Sequence, residues 1–175
     1  EAGSKYARSK AAGEAAVRAA FPNAAVIRPS IVFGADDKFL NLFATLVRFS
    51  PVLPLIGGGG TRFQPVYVGD VAAAITAIVF SANNTGMTYE LGGPEILTFR
   101  QLMERVMQAT GRARLLVPIP FAIMEWKGAV LSLAPRPLLT RDQVRMLRTD
   151  NTAEQGLLGL ADLNITPTAV AAIVP

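Results

Sequence analysis

A tyrosine and a lysine four residues apart carry the clearest chemistry in this sequence. Tyr6 and Lys10 lie at the start of an alanine-rich segment, residues 10–20, that predicts a helix, and residues at i and i+4 share one helix face. A neighbouring ammonium lowers the pKa of a phenol from its usual value of about 10, which lets a phenol exchange protons nearer neutral pH. The spacing therefore predicts a proton-transfer site, and a solvated helix face is the plainer interpretation.

Composition removes several other chemistries. The 175 residues include no cysteine and no histidine, which excludes disulfides, thiolate nucleophiles, cysteine–histidine zinc sites and histidine general bases. Acid–base chemistry must then come from tyrosine, lysine or carboxylates, and we predict no metal site. The net charge of +4 is modest, and the arginines within residues 100–114 and 141–148 have no interleaved aromatic residues. We therefore expect no nucleic-acid binding.

Helices and strands alternate in the manner of an α/β domain with a parallel sheet. Residues 24–34 are rich in β-branched side chains and end in glycine, which predicts a buried strand with Pro29 at the end of its ladder. We predict helices at residues 6–20, 37–49, 70–82, 98–110, 120–133 and 140–148, and strands at residues 25–33, 64–68, 87–91 and 113–117.

Capping residues set three of the predicted helix starts. Asp70 is the predicted N-cap of the helix that it precedes, and Thr98 forms a predicted capping box with Gln101. Thr166 is the predicted cap of a last short helix that begins at Pro167.

The densest glycine cluster, residues 57–60, lies between two apparently extended segments and does not open a helix. It predicts a flexible loop rather than a phosphate cradle.

Four motifs in chain order resemble the extended short-chain dehydrogenase/reductases, the class that includes nucleotide-sugar epimerases and dehydratases. They are the Y-x-x-x-K pattern at residues 6–10, R-P-S-I-V-F-G at 28–34, the stretch 60–72, and Y-E-L-G-G at 89–93 followed by L-T-F-R-Q-L at 97–102. Within this class, the runs at residues 50–59 and 137–144 are most similar to bacterial relatives of the nucleotide-binding accessory subunit of respiratory complex I.

The resemblance implies a fold and a division into domains. The fold is α/β, the C-terminal half of a Rossmann-type doubly wound parallel sheet with a small substrate-binding lobe. Residues 1–96 would belong to the NAD(P)-binding domain, with residues 35–63 contributing to the substrate cleft, and residues 97–175 would form the lobe. The strand, glycine-rich turn and helix with which the family binds the dinucleotide pyrophosphate are not in this sequence. We therefore expect the C-terminal portion of a longer protein.

The resemblance also implies a nicotinamide site. Tyr6 would be the general acid/base, and Lys10 would hold the nicotinamide ribose hydroxyls. Pro29, Ser30 and Val32 would contact the cofactor, although an ordinary strand end is an equal interpretation. The cofactor is NAD or NADP, because the residue that selects between them lies in the family's N-terminal half.

Two substrate contacts are implied as well. Arg62 matches the arginine that grips substrate phosphates in nucleotide-sugar enzymes, and Gln64 lies beside it. Those enzymes commonly have acidic and aromatic residues where this chain has Phe63 and Gln64, so this departure argues against a nucleotide sugar.

Two functions are therefore open. The first is an NAD(P)-dependent oxidoreductase or epimerase/dehydratase-like protein acting on a small molecule, in which hydride moves to or from nicotinamide while Tyr6 transfers the proton. The second is a non-catalytic NAD(P)-binding accessory or assembly component of respiratory complex I.

The apolar segment 117–134, with Trp126 and Lys127, bears on the choice between these functions. Its prolines and charges exclude a membrane span, which leaves a helix packed on the lobe or one lying at a membrane surface. We expect a cytoplasmic protein, peripheral to the inner membrane if it is the accessory component.

Overall fold

The computed structural model describes residues 4–125, 141–154 and 156–173. Its helices are α1 (Lys5–Ala20), α2 (Lys38–Phe49), α3 (Val68–Val79), α4 (Phe99–Ala109), α5 (Arg141–Met146) and α6 (Val170–Ile173). Its strands are β1 (Val26–Pro29), β2 (Val32–Phe33), β3 (Val52–Ile56), β4 (Arg62–Phe63), β5 (Val66–Tyr67), β6 (Thr88–Leu91), β7 (Leu97–Thr98) and β8 (Leu115–Ile119).

The predicted helix at 120–133 is seen only in part. Residues 121–125 are helical, and Trp126 and Lys127 lie outside the described residues. No helix within the described ranges combines the length and apolar character needed to cross a bilayer.

Within the described residues, the strands form four two-stranded sheets. The pairs β1–β6, β2–β5 and β3–β8 are parallel, and helices connect strands along the chain, which confirms the predicted α/β class. The pair β4–β7 is antiparallel and was not predicted. Each of its strands has two residues, too few to show an alternating pattern in the sequence.

The predicted strand at 25–33 is two strands, because it changes partner in the middle. β1 runs beside β6 as far as Pro29, which is opposite Leu91. The Ser30 N–H continues this ladder by donating to the Leu91 carbonyl at 2.9 Å, while the Ile31 carbonyl already accepts a hydrogen bond from β5. Pro29 therefore lies at the end of the first ladder, as predicted. The change of partner falls among the predicted cofactor contacts Pro29, Ser30 and Val32.

One of the three predicted caps is confirmed, and two are wrong. Thr98 and Gln101 form the capping box of α4. α3 begins at Val68, so Asp70 lies within its first turn and is not the N-cap. An acidic residue in the first turn still interacts favourably with the helix dipole, which explains why the sequence signal was close to the helix start.

Asp70 instead fixes the C-terminal segment. Its carboxylate accepts hydrogen bonds from the N–H and the hydroxyl of Thr168, at 2.7 and 2.9 Å. The predicted helix start at Pro167, with Thr166 as its cap, is wrong, since the last helix begins at Val170. The bonds to Asp70 hold Thr168 two residues before that helix.

The glycine cluster forms a close turn between β3 and β4. Gly57, Gly58 and Gly59 have φ of 62°, 77° and 80°, a region that glycine adopts readily. A Cβ on Gly57 would lie 2.1 Å from the Phe121 ring. The cluster links two strands, as predicted, and its glycines permit the close approach of Phe121.

Two hydrophobic cores lie side by side in the described chain. The larger core contains a group of packed rings, Phe39, Phe43, Phe63 and Phe99, with neighbouring centroids 5.2 to 6.4 Å apart. The second core packs α3 against β1 and β6 and includes Leu160. The C-terminal segment therefore packs on the second core beside β1 and β6.

The turn after β6 gives a direct test of this packing. A Cβ on Gly93 would lie 1.8 Å from the Pro65 carbonyl oxygen, whereas a Cβ on Gly13, within α1, would have no atom within 4 Å. We expect Gly93→Ala to lower the free energy of unfolding by about 2–3 kcal/mol, because backbone must move. Gly13→Ala, the matched control, should raise it by roughly 1 kcal/mol. Urea unfolding measures both, and unchanged stability of Gly93→Ala would contradict the packing.

Candidate functional site

The helix α1 places the predicted proton-transfer pair together. The Lys10 ammonium lies 5.6 Å from the centroid of the Tyr6 ring, so the two side chains share a face. Tyr6 is 51% exposed. The predicted geometry of the pair is therefore present, and its catalytic role stays a prediction.

The start of α1 is fixed by a residue far along the sequence. The first N–H groups of a helix have no partner within the helix. In α1, the Lys5 and Tyr6 amides donate to the two carboxylate oxygens of Asp142, at 2.8 and 3.0 Å, and the Ala7 amide donates to the Ser4 hydroxyl at 3.0 Å. Asp142 belongs to α5, so this helix holds the backbone of Tyr6 directly.

These hydrogen bonds also affect the carboxyl group. The Lys5 N–H, and then the Tyr6 N–H, hold the pKa of Asp142 below its ordinary value of 3.8, because they stabilise the charged form. Sequence reasoning missed Asp142. An acidic residue in the first turn of a predicted helix was the only signal, and it does not reveal a partner 136 residues away.

Ion pairs hold the C-terminal half of α1 to the sheet. Glu14 accepts hydrogen bonds from Arg18 and Arg28, and Arg28 also pairs with Glu90 on β6. Arg28, followed by Arg18, holds the pKa of Glu14 below its ordinary value. None of the residues of α1 is buried, so polar contacts at both ends locate this helix.

A cavity of about 520 Å³ opens beside Tyr6. Four of the predicted site residues line it: Tyr6, Pro29, Ser30 and Val32. The Ser30 hydroxyl lies 2.6 Å from the backbone oxygen of Asn151, another lining residue. The change of strand partner after Pro29 thus brings the predicted cofactor contacts to the same cavity as the tyrosine.

Arg62 lies outside the lining of this cavity and has a protein partner. Its Nε donates to Asp150 Oδ2 at 2.8 Å, and its backbone N–H donates to Oδ1 at 2.8 Å. The backbone bond, followed by the guanidinium bond, lowers the pKa of Asp150. The predicted phosphate contact would require this ion pair to open.

Gln64 is likewise outside the cavity lining, and its amide is used by the protein. Its Nε2 donates to the Gly93 carbonyl at 2.9 Å, and its Oε1 accepts from the Ala153 N–H at 3.0 Å. The side chain therefore bridges the turn after β6 and the segment after α5. Its predicted substrate contact stays a prediction.

Replacement of Asp142 tests how α1 is held. The pKa of the folded-state carboxyl lies below 3.8, so its stabilising contribution is complete above that value and is lost as pH falls through the lower folded-state pKa. We expect Asp142→Asn to reduce amide-exchange protection at Lys5 and Tyr6 near about pH 6, and the difference from wild type should close as pH falls below the carboxyl's ordinary pKa of 3.8 and through its lower folded-state pKa.

Hydrogen exchange followed by NMR measures this effect. Asp36→Asn is the matched control, because Asp36 is exposed and has no carboxylate contact to α1. Equal protection in wild type and Asp142→Asn near neutral pH would show that the carboxylate does not hold the helix.

Comparison with known proteins identifies the family. Residues 3–150 match the RmlD substrate binding domain. The mitochondrial NADH dehydrogenase (ubiquinone) 1 alpha subcomplex subunit 9 of Arabidopsis thaliana is 38% identical over 174 residues, which cover 94% of this chain and 43% of that protein. The ceramide reductase of Caulobacter vibrioides is 45% identical over 75 residues, or 42% of this chain and 23% of that protein.

A solved structure supports the same assignment. The UDP-glucose 4-epimerase of Thermus thermophilus, in complex with NAD, is 26% identical, with a TM-score of 0.56 over 80% of this chain and 53% of the epimerase chain. The chain spans less than half the length of the Arabidopsis relative. The predicted resemblance is confirmed: the chain belongs to the RmlD substrate binding domain family of the extended short-chain dehydrogenase/reductases, which have the epimerase/dehydratase fold.

Proposed function

We propose that this chain is part of an NAD(P)-dependent oxidoreductase or epimerase/dehydratase-like protein in which Tyr6 and Lys10 form the proton-transfer pair. One observation carries the proposal: Tyr6 lines the same cavity as Pro29, Ser30 and Val32. In the family these positions correspond to the catalytic acid/base and to backbone that closes over nicotinamide.

The described residues fit the nicotinamide end of the cofactor. Lys10 is exposed, and within the described chain its ammonium makes a contact only with the Tyr6 ring, so its three donors are available for ribose hydroxyls. The turn at Gly57–Gly59 leads into a strand and offers no helix N-terminus for a phosphate. The Thermus thermophilus epimerase, solved with NAD, supports NAD(P) as the cofactor.

Each residue then has a defined task. When bound, the nicotinamide supplies or accepts a hydride. The Tyr6 hydroxyl gives a proton to the substrate oxygen during reduction, and its phenolate form removes that proton during oxidation. Lys10 orients the ribose, and the backbone at Pro29 and Ser30 limits where the ring can lie. The name of the Caulobacter relative, a reductase, supports this chemistry.

A second function is favoured by a relative that aligns with nearly the whole of this chain. The Arabidopsis protein, named as a subunit of NADH dehydrogenase, aligns with 94% of it. The alternative is therefore a non-catalytic NAD(P)-binding accessory or assembly component of respiratory complex I, located at the membrane surface. Such a component would retain the cofactor for structural reasons and would not require proton transfer by Tyr6.

Replacement of the tyrosine hydroxyl distinguishes chemistry from binding. In the full-length protein, we expect Tyr6→Phe to lower turnover by a factor of roughly 100 to 10,000 with cofactor affinity nearly unchanged, because only the proton carrier is lost. Lys10→Met should lower both turnover and cofactor affinity, since it removes the ribose contact as well. Tyr67→Phe is the control, because its hydroxyl lies outside the cavity lining. Nicotinamide fluorescence reports cofactor binding and turnover.

Cell fractionation tests the alternative. An accessory component should be recovered with membranes or a respiratory complex and should turn over no small molecule. A freely soluble protein whose turnover depends on Tyr6 would remove that alternative. Membrane recovery without turnover would instead remove the proposed enzyme.

A further inference from the structure

We propose that the cavity beside Tyr6 binds an apolar, lipid-like molecule, and that the substrate is a long-chain alcohol or carbonyl compound rather than a nucleotide sugar. The inference rests on the proposed function only in naming this ligand a substrate. Binding itself follows from the shape and chemistry of the cavity wall.

The wall is built mainly from apolar side chains. They come from α2, β4 and the segment from α5 onward: Phe39, Leu42, Phe43, Phe63, Met146 and Leu147. A volume of about 520 Å³ lies within the range of roughly 300–1,000 Å³ that is typical of small-molecule sites. An apolar chain that enters this space removes its own surface and that of the wall from water, which favours binding.

Three residues of the apolar wall belong to the protein core, so this part of the wall is preformed. Phe43, Phe63 and Leu147 are only 5, 5 and 8% exposed. Phe99, which is 1% exposed, packs behind Phe43 and Phe63 with ring centroids 5.3 and 6.4 Å away. A core packed in this way resists rearrangement. The rings therefore stay in the wall when a ligand binds, and they offer a polar ligand no hydrogen-bond donors.

Charge in the wall does not match a nucleotide diphosphate. Lys38 is the single charged side chain among the described lining residues, and it is exposed at the start of α2. Arg62, the predicted phosphate ligand, is outside the lining and paired with Asp150. Phosphate charges placed against the aromatic rings would have Lys38 as their one cationic partner in the described lining, and burying them there is costly. A ligand with one polar end near Tyr6 and a long apolar remainder matches the distribution of polar groups in the wall better than a nucleotide diphosphate does.

Binding of a neutral fluorescent probe tests the inference without cofactor or turnover. We expect N-phenylnaphthylamine to bind the full-length protein with enhanced fluorescence, and dodecanol to displace it. UDP-glucose should leave the signal unchanged. Failure of the probe to bind, or displacement by UDP-glucose but not by dodecanol, would overturn the proposal.

A matched pair of methionine substitutions locates the probe. Met146→Gln places an amide of similar size in the wall, and Met87→Gln makes the same change outside it; the two side chains are similarly exposed, at 38 and 44%. We expect the first to weaken probe binding about fivefold or more, because the amide loses water when the probe enters, and the second to have no effect. Equal unfolding midpoints would verify that both variants fold. Equal probe affinities would overturn the assignment to this cavity.

The binding result separates this inference from the proposed function. Probe binding that depends on Met146, together with turnover that is indifferent to Tyr6→Phe, would sustain the cavity and reject the proposed chemistry. Tyr6-dependent turnover of a nucleotide sugar, without probe binding, would sustain the chemistry and reject the lipid-like substrate.

Discussion

The carboxylate of Asp142 at the first turn of α1 is the contact on which the candidate site depends. α1 has no buried residue, so hydrophobic burial contributes little to its position, and its location is set by polar groups at each end. Asp142 accepts from the two N–H groups that precede and include Tyr6, while Glu14 and Arg28 tie the other half to the sheet. A small shift of α5 would therefore move the backbone of Tyr6 through the Asp142 hydrogen bonds, without a rearrangement of the hydrophobic core.

This arrangement couples two distant parts of the chain to one cavity. α5 fixes the start of α1 through Asp142 and also contributes Met146 to the cavity wall. The break between β1 and β2 contributes Pro29 and Ser30 to the wall of the same cavity. The proton-transfer groups, the nicotinamide and an apolar substrate would then share one cavity. Its polar groups would lie near Tyr6, and its packed rings would line the part away from Tyr6.

Local sequence patterns were sufficient for features that depend on neighbouring residues. The spacing of Tyr6 and Lys10 follows from the helical period, and the capping box of Thr98 and Gln101 follows from local hydrogen-bond geometry. Asp70 shows the limit of such patterns, because its competing partner, Thr168, lies 98 residues away. The sequence marked a helix start correctly to within two residues but could not reveal which donors the carboxylate would meet.

Long-range contacts explain what the sequence did not reveal about the site. Arg62 and Gln64 belong to a recognisable motif, yet their side chains bond to Asp150, Gly93 and Ala153.

A crystal structure of the full-length protein with a nicotinamide cofactor bound would be the most direct test of the claim that Tyr6 and Lys10 form the nicotinamide site. We predict the nicotinamide beside the Tyr6 hydroxyl, with the Lys10 ammonium on the ribose and Asp142 still bonded to the start of α1. A cofactor bound with its nicotinamide away from Tyr6 would contradict it.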